Sequence, residues 1–122
     1  MKIIKITKTF EVTDQNLKDF FCTAIEGGYS NYWMGWITFS QDDKEITYQA
    51  LDYSKDFSWT IKDAEDKDEI YGPIFSKDIT YHATLNKEIA KYLELLTDDS
   101  SFDAVQADDL LQLLTMNEIR FG

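Results

Sequence analysis

Apolar and polar residues alternate at the start of the chain, over residues 3–12. Successive side chains of a strand point to opposite faces, so this alternation predicts a half-buried β-strand. The apolar side of the predicted strand consists of Ile4, Ile6, Phe10 and Val12.

A helical pattern replaces the alternation from residue 13 onward. Thr13 is a suitable N-cap for this helix. Gly27-Gly28 follows it and can adopt the left-handed conformation that ends many helices. Apolar residues recur at the spacing of one helical face, at Leu17, Phe20, Phe21, Ala24 and Ile25.

Aromatic-rich extended segments come next and predict an antiparallel meander, because turn-like stretches separate them. The segment 32–39 is apolar on both faces and is therefore expected at the centre of the sheet. Pro73 restricts the segment 69–75 to an edge strand or a loop. The predicted strands are 32–39, 45–51 and 57–62, and the predicted turns are 40–44 and 52–56.

The last third of the chain returns to helical spacing. One helix is predicted around residues 85–96, with Ser76 or Asn86 as its cap. Asp103, with Gln106 three positions later, resembles a capping box that opens a final helix. We therefore predict one α+β domain over residues 1–122: an antiparallel sheet of about four or five strands packed by an N-terminal helix and two C-terminal helices.

Charge narrows the classes of function, because 12 basic against 23 acidic residues give a net charge of −11. A general nucleic-acid binder needs a basic surface, so direct nucleic-acid binding is not expected. The acids form either a solvated surface or a phosphate-like field that competes with nucleic acid for a partner's basic groove. In the second interpretation the partner-binding residues are Asp63, Glu65, Asp66, Asp68, Glu69, Asp98, Asp99, Asp108 and Asp109.

Catalytic and metal-binding templates find no match in the sequence. It has no glycine-rich phosphate loop, no nucleophile elbow and no pair of histidines. We expect no catalytic residue, metal or cofactor, and an enzyme that uses His82 or Glu26 is the third alternative. The single cysteine, the lack of a signal-peptide pattern and the lack of about 18 consecutive apolar residues predict a cytoplasmic protein that does not bind membranes.

The stretch from Glu26 to Trp33 is chemically unusual. Glu26 lies at the negative end of its helix, which is unfavourable unless another group compensates it. Tyr32 and Trp33 have large faces with polar tips, which suit either a pocket for a flat ligand or a structural corner filled by aromatic rings.

The C-terminal tail is also a candidate part of that site. Ile119 and Phe121 make it too apolar for a loose end, so we expect it to dock on the sheet and to bring Arg120 near Glu26. In the pocket interpretation the ligand-binding residues are Glu26, Tyr32, Trp33 and Arg120.

Two sequence elements resemble those of a family of small proteins carried by bacterial phages, prophages and plasmids. The first is Ala-x-Glu-Gly-Gly-x-x-x-Tyr-Trp, over residues 24–33. The second consists of Asp103, Ala107, Asp108, Gln112, Glu118, Ile119 and Gly122.

That resemblance implies a non-enzymatic inhibitor of host defence, similar to anti-CRISPR proteins in size and charge. The implied partner is a host defence protein, with a CRISPR effector as the leading candidate, in the cytoplasm of the host cell. The alternative is a protein that binds or sequesters a small ligand, such as a nucleotide signal, with the corner around Trp33.

Overall fold

The computed structural model describes residues 10–98 and 102–121, and within them four helices and a four-stranded antiparallel sheet. This architecture confirms the predicted α+β class. The helices are α1 (Asp14–Glu26), α2 (Ile79–Leu85), α3 (Lys87–Thr97) and α4 (Ala104–Met116), and the strands are β1 (Met34–Gln41), β2 (Lys44–Ile46), β3 (Ser58–Asp63) and β4 (Ile70–Phe75).

The start and end of α1 follow the sequence signals. The Thr13 side chain accepts from the Asn16 amide, and the Asn16 side chain accepts from the Thr13 amide, which forms a capping box. Beyond the helix, Gly28 has a φ of +72°, the conformation that glycine adopts without steric cost. Thr13 and the glycine pair are therefore confirmed as the helix boundaries.

The strand predicted over 3–12 lies mostly outside the described residues. Residues 10–12 are described and have no strand conformation. The prediction is thus wrong for these three residues. For residues 3–9, which lie outside the described residues, it stays a prediction.

The strands are arranged in the order β2-β1-β3-β4, so β1 occupies a central position as predicted. A two-residue turn joins β1 to β2, with φ values of 54° at Asp42 and 62° at Asp43. Positive φ at both positions is typical of the type I′ turn that matches the twist of a hairpin. The turn is therefore tighter than the predicted 40–44.

The second predicted strand, 45–51, is wrong beyond Ile46. The amides of Ala50 and Leu51 bind the carbonyl oxygen of Thr47 at 3.0 and 3.2 Å, so the chain turns on itself there. As a result β2 covers only the end of β1. β4 is an edge strand that contains Pro73, which confirms the restriction deduced from that proline.

The core lies between the sheet and the helices. The Phe21 ring of α1 meets Phe39 of β1 and Trp59 of β3 at centroid distances of 5.1 and 5.2 Å. The buried residues of α4 pack beside them, and the Trp59 indole donates to Thr115 Oγ1 at 3.1 Å. The described helices therefore cover one face of the sheet, which we call the inner face.

The opposite face of the sheet is exposed or half-buried, and we call it the outer face. Trp36 of β1 lies on this face and is 63% exposed. The central strand β1 is therefore covered by helices on one face only, because no described helix packs on the outer one. The other residues of this face are Thr38, Ser40, Ser58, Thr60, Lys62, Ile70 and Phe75.

The predicted helix around 85–96 is two helices, so the C-terminal part holds one short helix more than expected. Asn86 separates them because its backbone is extended, with φ −128° and ψ 109°. Its side chain accepts from the Glu88 amide at 2.9 Å and caps α3. Asp103 and Gln106 form the predicted capping box at the start of α4.

The bulge between Met34 and Trp36 should depend on glycine at position 35. A Cβ there would lie 2.9 Å from the Asp63 carbonyl oxygen and 3.0 Å from the Ala64 Cα. We expect Gly35→Ala to lower the free energy of unfolding by about 1–3 kcal/mol in urea denaturation, because backbone must shift. Ser40→Ala, on the exposed outer face of the same strand, is the control and should change it by less than about 0.5 kcal/mol. Equal stability of the two variants would show that the bulge relaxes without cost.

Candidate functional site

The carboxylate of Asp108, which is 3% exposed, accepts hydrogen bonds from four side chains. Its Oδ1 accepts from Ser30 Oγ at 2.9 Å and from Trp33 Nε1 at 2.7 Å. Its Oδ2 accepts from the Tyr32 hydroxyl at 3.1 Å and from Gln112 Nε2 at 3.2 Å. A buried carboxylate is costly unless it is hydrogen-bonded, and here both oxygens are bonded twice.

Gln112 extends this network to the C-terminal tail. Its Oε1 accepts from the amides of Arg120 at 3.0 Å and Phe121 at 2.8 Å, and its Nε2 donates to the Phe121 carbonyl at 2.9 Å. The Phe121 ring stacks on Trp33, with centroids 5.7 Å apart and an interplanar angle of 11°. The tail therefore docks as predicted, but its hydrogen bonds are with α4 and the Phe121 ring stacks on the aromatic corner, whereas docking on the sheet was expected. Ile119 stays exposed.

Trp33 is not available to a ligand, which corrects its prediction as a stacking residue. Its side chain is 1% exposed, its Nε1 is bound to Asp108, and one ring face is covered by Phe121. Tyr32 is 47% exposed, but its hydroxyl donates into the network. The geometry thus favours the interpretation of a structural corner over that of a ligand pocket.

Arg120 and Glu26 do not form the predicted pair. The Arg120 Nε lies 3.0 Å from Glu118 Oε1, and its guanidinium lies 5.9 Å from the centre of the Tyr71 ring. Glu26 is exposed and lies beside Tyr48. The pairing fails because a carboxylate two residues away already satisfies Arg120.

The environment of Tyr32 keeps its hydroxyl protonated. Burial, and then the hydrogen bond to the Asp108 carboxylate, raise the pKa of Tyr32 to about 12. Near neutral pH the phenol is therefore a donor, as the Asp108 network requires.

Three of the acids predicted to bind a partner accept hydrogen bonds within the fold. Asp108 is buried in its network, and Asp109 is half-buried and accepts from the Tyr92 hydroxyl at 2.9 Å. Asp63 accepts from the amides of Glu65 and Asp66, which with the Tyr71 hydroxyl hold the pKa of Asp63 below its usual value. The prediction of a partner-binding role is corrected for Asp108 because its carboxylate has no access to a partner.

The remaining predicted acids fall into an exposed group and one that lies outside the described residues. Asp98 is exposed just after α3, and Asp99 is outside the described residues. The exposed acids of the loop between β3 and β4 are Glu65, Asp66, Asp68 and Glu69, which we call the acidic loop.

Ser30 and Gln112 belong to the Asp108 network, and neither was predicted from the sequence to do so. A usable signal was present, because Asp108 and Gln112 stand four residues apart in a helix that also carries four leucines between positions 110 and 114. Polar side chains at that spacing, on a helical face that also carries core residues, indicate a buried polar cluster.

Residues 10–98 and 102–121 contain neither a metal-binding cluster nor a membrane-spanning helix. No group of three or more His, Cys, Asp or Glu side chains there is arranged to hold a metal ion. The same residues form no helix with the length and apolar character that crossing a membrane requires.

The Asp108 network should be measurable as an energetic coupling. We expect Asp108→Ala to lower the free energy of unfolding by about 3–5 kcal/mol, because four donors, three of them on buried side chains, lose their acceptor. In a double-mutant cycle Trp33→Phe should be coupled to Asp108→Ala, since Phe lacks the indole donor. Trp59→Phe is the matched control: it also loses a buried indole hydrogen bond, but to Thr115, and should be additive. Equal coupling for both tryptophans would contradict the network.

Removal of the tail tests its docking separately. Deletion of residues 118–122 should lower the free energy of unfolding by about 2–4 kcal/mol, because the Phe121 ring and the bonds to Gln112 are lost. Arg120→Ala removes only an exposed side chain and should cost less than about 1 kcal/mol. Thermal or urea unfolding measures both, and a truncated chain with wild-type stability would show that the tail contributes nothing.

Comparison with known proteins adds no relative. A scan of protein-family models, a search of curated proteins and a search of solved structures each found no match to this chain. The resemblance to proteins of mobile elements therefore stays a prediction from two motifs, and function has to be argued from geometry and charge.

Proposed function

We propose that this chain is a non-catalytic inhibitor of a bacterial defence system, encoded by a mobile element. It acts in the cytoplasm of the host cell, where it binds a basic surface of an effector and competes there with nucleic acid. A CRISPR effector is the partner class we place first, on the motif resemblance and the net charge of −11.

The observation that carries the proposal is the acidic loop. Glu65, Asp68 and Glu69 are exposed, and their carboxylates form no hydrogen bond or ion pair with any described residue. Carboxylates without internal partners are free to meet Lys and Arg of another protein. Opposite charge of this kind raises the association rate and gives an affinity that falls with salt.

The backbone of the loop is held in place by other acids. Asp63 accepts from the amides of Glu65 and Asp66, and Asp66 accepts from the amide of Asp68 at 3.0 Å. These bonds give the loop a defined conformation, so binding a partner orders fewer free backbone torsions. Asp63 and Asp66 thus hold the backbone of the loop. The other three acids of the acidic loop are exposed to solvent and available to a partner.

A second acidic group lies at the other end of the sheet. Asp42 and Asp43 form the turn after β1, and Asp56 precedes β3. β3 begins near this turn, at Ser58, and ends at the acidic loop, so its length separates the two groups by about 20 Å. Charge at both ends of the sheet suits a long basic groove of the kind that holds nucleic acid.

The ligand-binding alternative has less support. It needs Trp33 as a stacking surface, and the Trp33 ring is buried under Phe121. We therefore place function on the acidic surface and leave the aromatic corner as a structural feature.

The proposal is tested by charge reversal in the acidic loop. Cells with an active CRISPR system and a phage that it targets are given the wild-type chain or the variant Glu65→Lys, Asp68→Lys, Glu69→Lys. We expect the wild-type chain to restore phage plating and the variant to fail. With purified effector, the variant should bind about tenfold or more weakly at low salt, since each exposed charge contact contributes on the order of 0.5–1 kcal/mol.

A matched control changes the same net charge elsewhere. Glu11, Asp19 and Glu88 are exposed acids outside both acidic groups, and their reversal to lysine should leave protection intact. Equal loss of protection in both variants would show that the net charge of the protein matters and that the acidic loop has no special role. Full protection by the acidic-loop variant, or none by the wild-type chain in any defence system tried, would contradict the proposal.

A further inference from the structure

The edge of β1 that faces β2 is only partly covered by described residues. β2 pairs with Phe39, Ser40 and Gln41, while β3 pairs along β1 from Met34 to Ser40. After Ile46 the pairing with β1 ends, and the amides of Ala50 and Leu51 bind the Thr47 carbonyl oxygen in a turn. Within the described residues, the edge from Met34 to Thr38 therefore has no neighbouring strand.

This edge has backbone groups directed outward. In an antiparallel ladder the N–H and C=O groups of successive residues point alternately to the two neighbours. Gln41 and Lys44 close a two-residue hairpin, so Gln41 and Phe39 direct these groups to β2. By the same alternation, Ile37 directs its N–H and C=O to the side that β2 leaves uncovered.

A groove of about 630 Å³ runs along the same edge. Its lining includes Ile37 and Phe39 from the inner face of β1, and Trp36 and Thr38 from the outer face. Only an opening along the strand edge contacts side chains of both faces. The far wall is formed by residues 45–49, where the chain leaves β2.

The charge of the groove favours a positively charged occupant. Its lining contains Glu45 and no Lys or Arg, and Glu26 lies beside the lining residue Tyr48. Burial, and then the Glu26 carboxylate, raise the pKa of this tyrosine. An occupant needs apolar side chains for the walls and a positive charge for Glu45 and Glu26.

A second copy of this chain is a poor occupant. Pairing of two β1 edges would bring together two chains that each carry a net charge of −11, with Glu45 of both at the contact. Like charges across an interface oppose association.

We infer that the groove binds an extended segment of a partner protein, with alternating apolar and basic side chains, as an added strand on the edge of β1. The inference rests on the proposed function, since it names the kind of segment by which the effector is held. Main-chain hydrogen bonds to Ile37 supply affinity, and Trp36 packs over an apolar side chain of the segment.

The test titrates the ¹⁵N-labelled full chain with a synthetic peptide of about eight residues, in which valine and lysine alternate and both ends are blocked. We expect backbone amide shifts at Gly35–Thr38, together with slower hydrogen exchange at Ile37. Two matched peptides should bind about tenfold or more weakly: one with glutamate for lysine, and one with methylated backbone nitrogens at alternate residues.

Two exposed aromatic residues of the outer face provide matched variants. Trp36→Ala should weaken peptide binding about tenfold, whereas Phe75→Ala, outside the groove lining, should not change it. Equal binding of the methylated peptide, or shifts confined to the acidic loop, would overturn the inference. Dimerisation through the β1 amides without peptide would overturn it too, because the edge would then belong to a second copy.

The plating assay separates this inference from the proposed function. Full protection by Trp36→Ala, with loss of protection in the acidic-loop variant, overturns the groove and leaves the proposed function standing. Peptide binding by a wild-type chain that protects against no defence system supports the groove and overturns the proposed function.

Discussion

The hydrogen bonds accepted by the Asp108 carboxylate are the interaction on which the rest of this structure depends. All four donors are uncharged, so the carboxylate is stabilised by oriented dipoles and not by an ion pair. Three of the four bonds connect α4 to a corner that lies 75 or more residues earlier in the chain. Because that corner leads directly into β1, the bonds also fix where the central strand starts against the helices. Gln112 then holds the tail to the same place, so the corner, α4 and the C-terminal tail meet at one buried charge.

Local signals account for what the sequence predicted correctly. Thr13 and Asp103 cap their helices through contacts within three residues, and such contacts can be identified without knowledge of the fold. The role of Asp108 is not local, because three of its partners are distant in sequence. Its residue type also does not distinguish it from the many exposed acids of this chain. The failure at 45–51 has another cause: the amide hydrogen bonds to the Thr47 carbonyl outweigh the strand preference of Thr47 and Tyr48. The break at Asn86 depends on its side chain capping the following helix, a choice that periodicity cannot show.

The acids divide into those that build the fold and those that are free, and composition cannot separate them. Asp63, Asp108 and Asp109 each accept hydrogen bonds from groups that would otherwise lack partners. Charge reversal at these positions would destabilise the fold and mimic a loss of binding. Glu65, Asp68 and Glu69 have no such bonds to described residues, so their charge is available to a partner. Of the acids predicted to bind a partner, these three exposed side chains are therefore the ones to which the proposed function assigns the contact.

The net charge affects what can pair with the part of the β1 edge that no described residue covers. An uncovered strand edge beside an exposed tryptophan would ordinarily promote pairing between copies and then aggregation. Proteins often prevent this by placing charge near the edge. In this chain Glu45 lines the groove, Glu26 lies beside it, and the whole molecule carries a charge of −11, so every copy repels another. In the inferred mode of binding, the same field attracts a basic segment to the part of the edge that no described residue covers. Acidic charge then has two effects, since it disfavours pairing between copies and favours a basic partner strand.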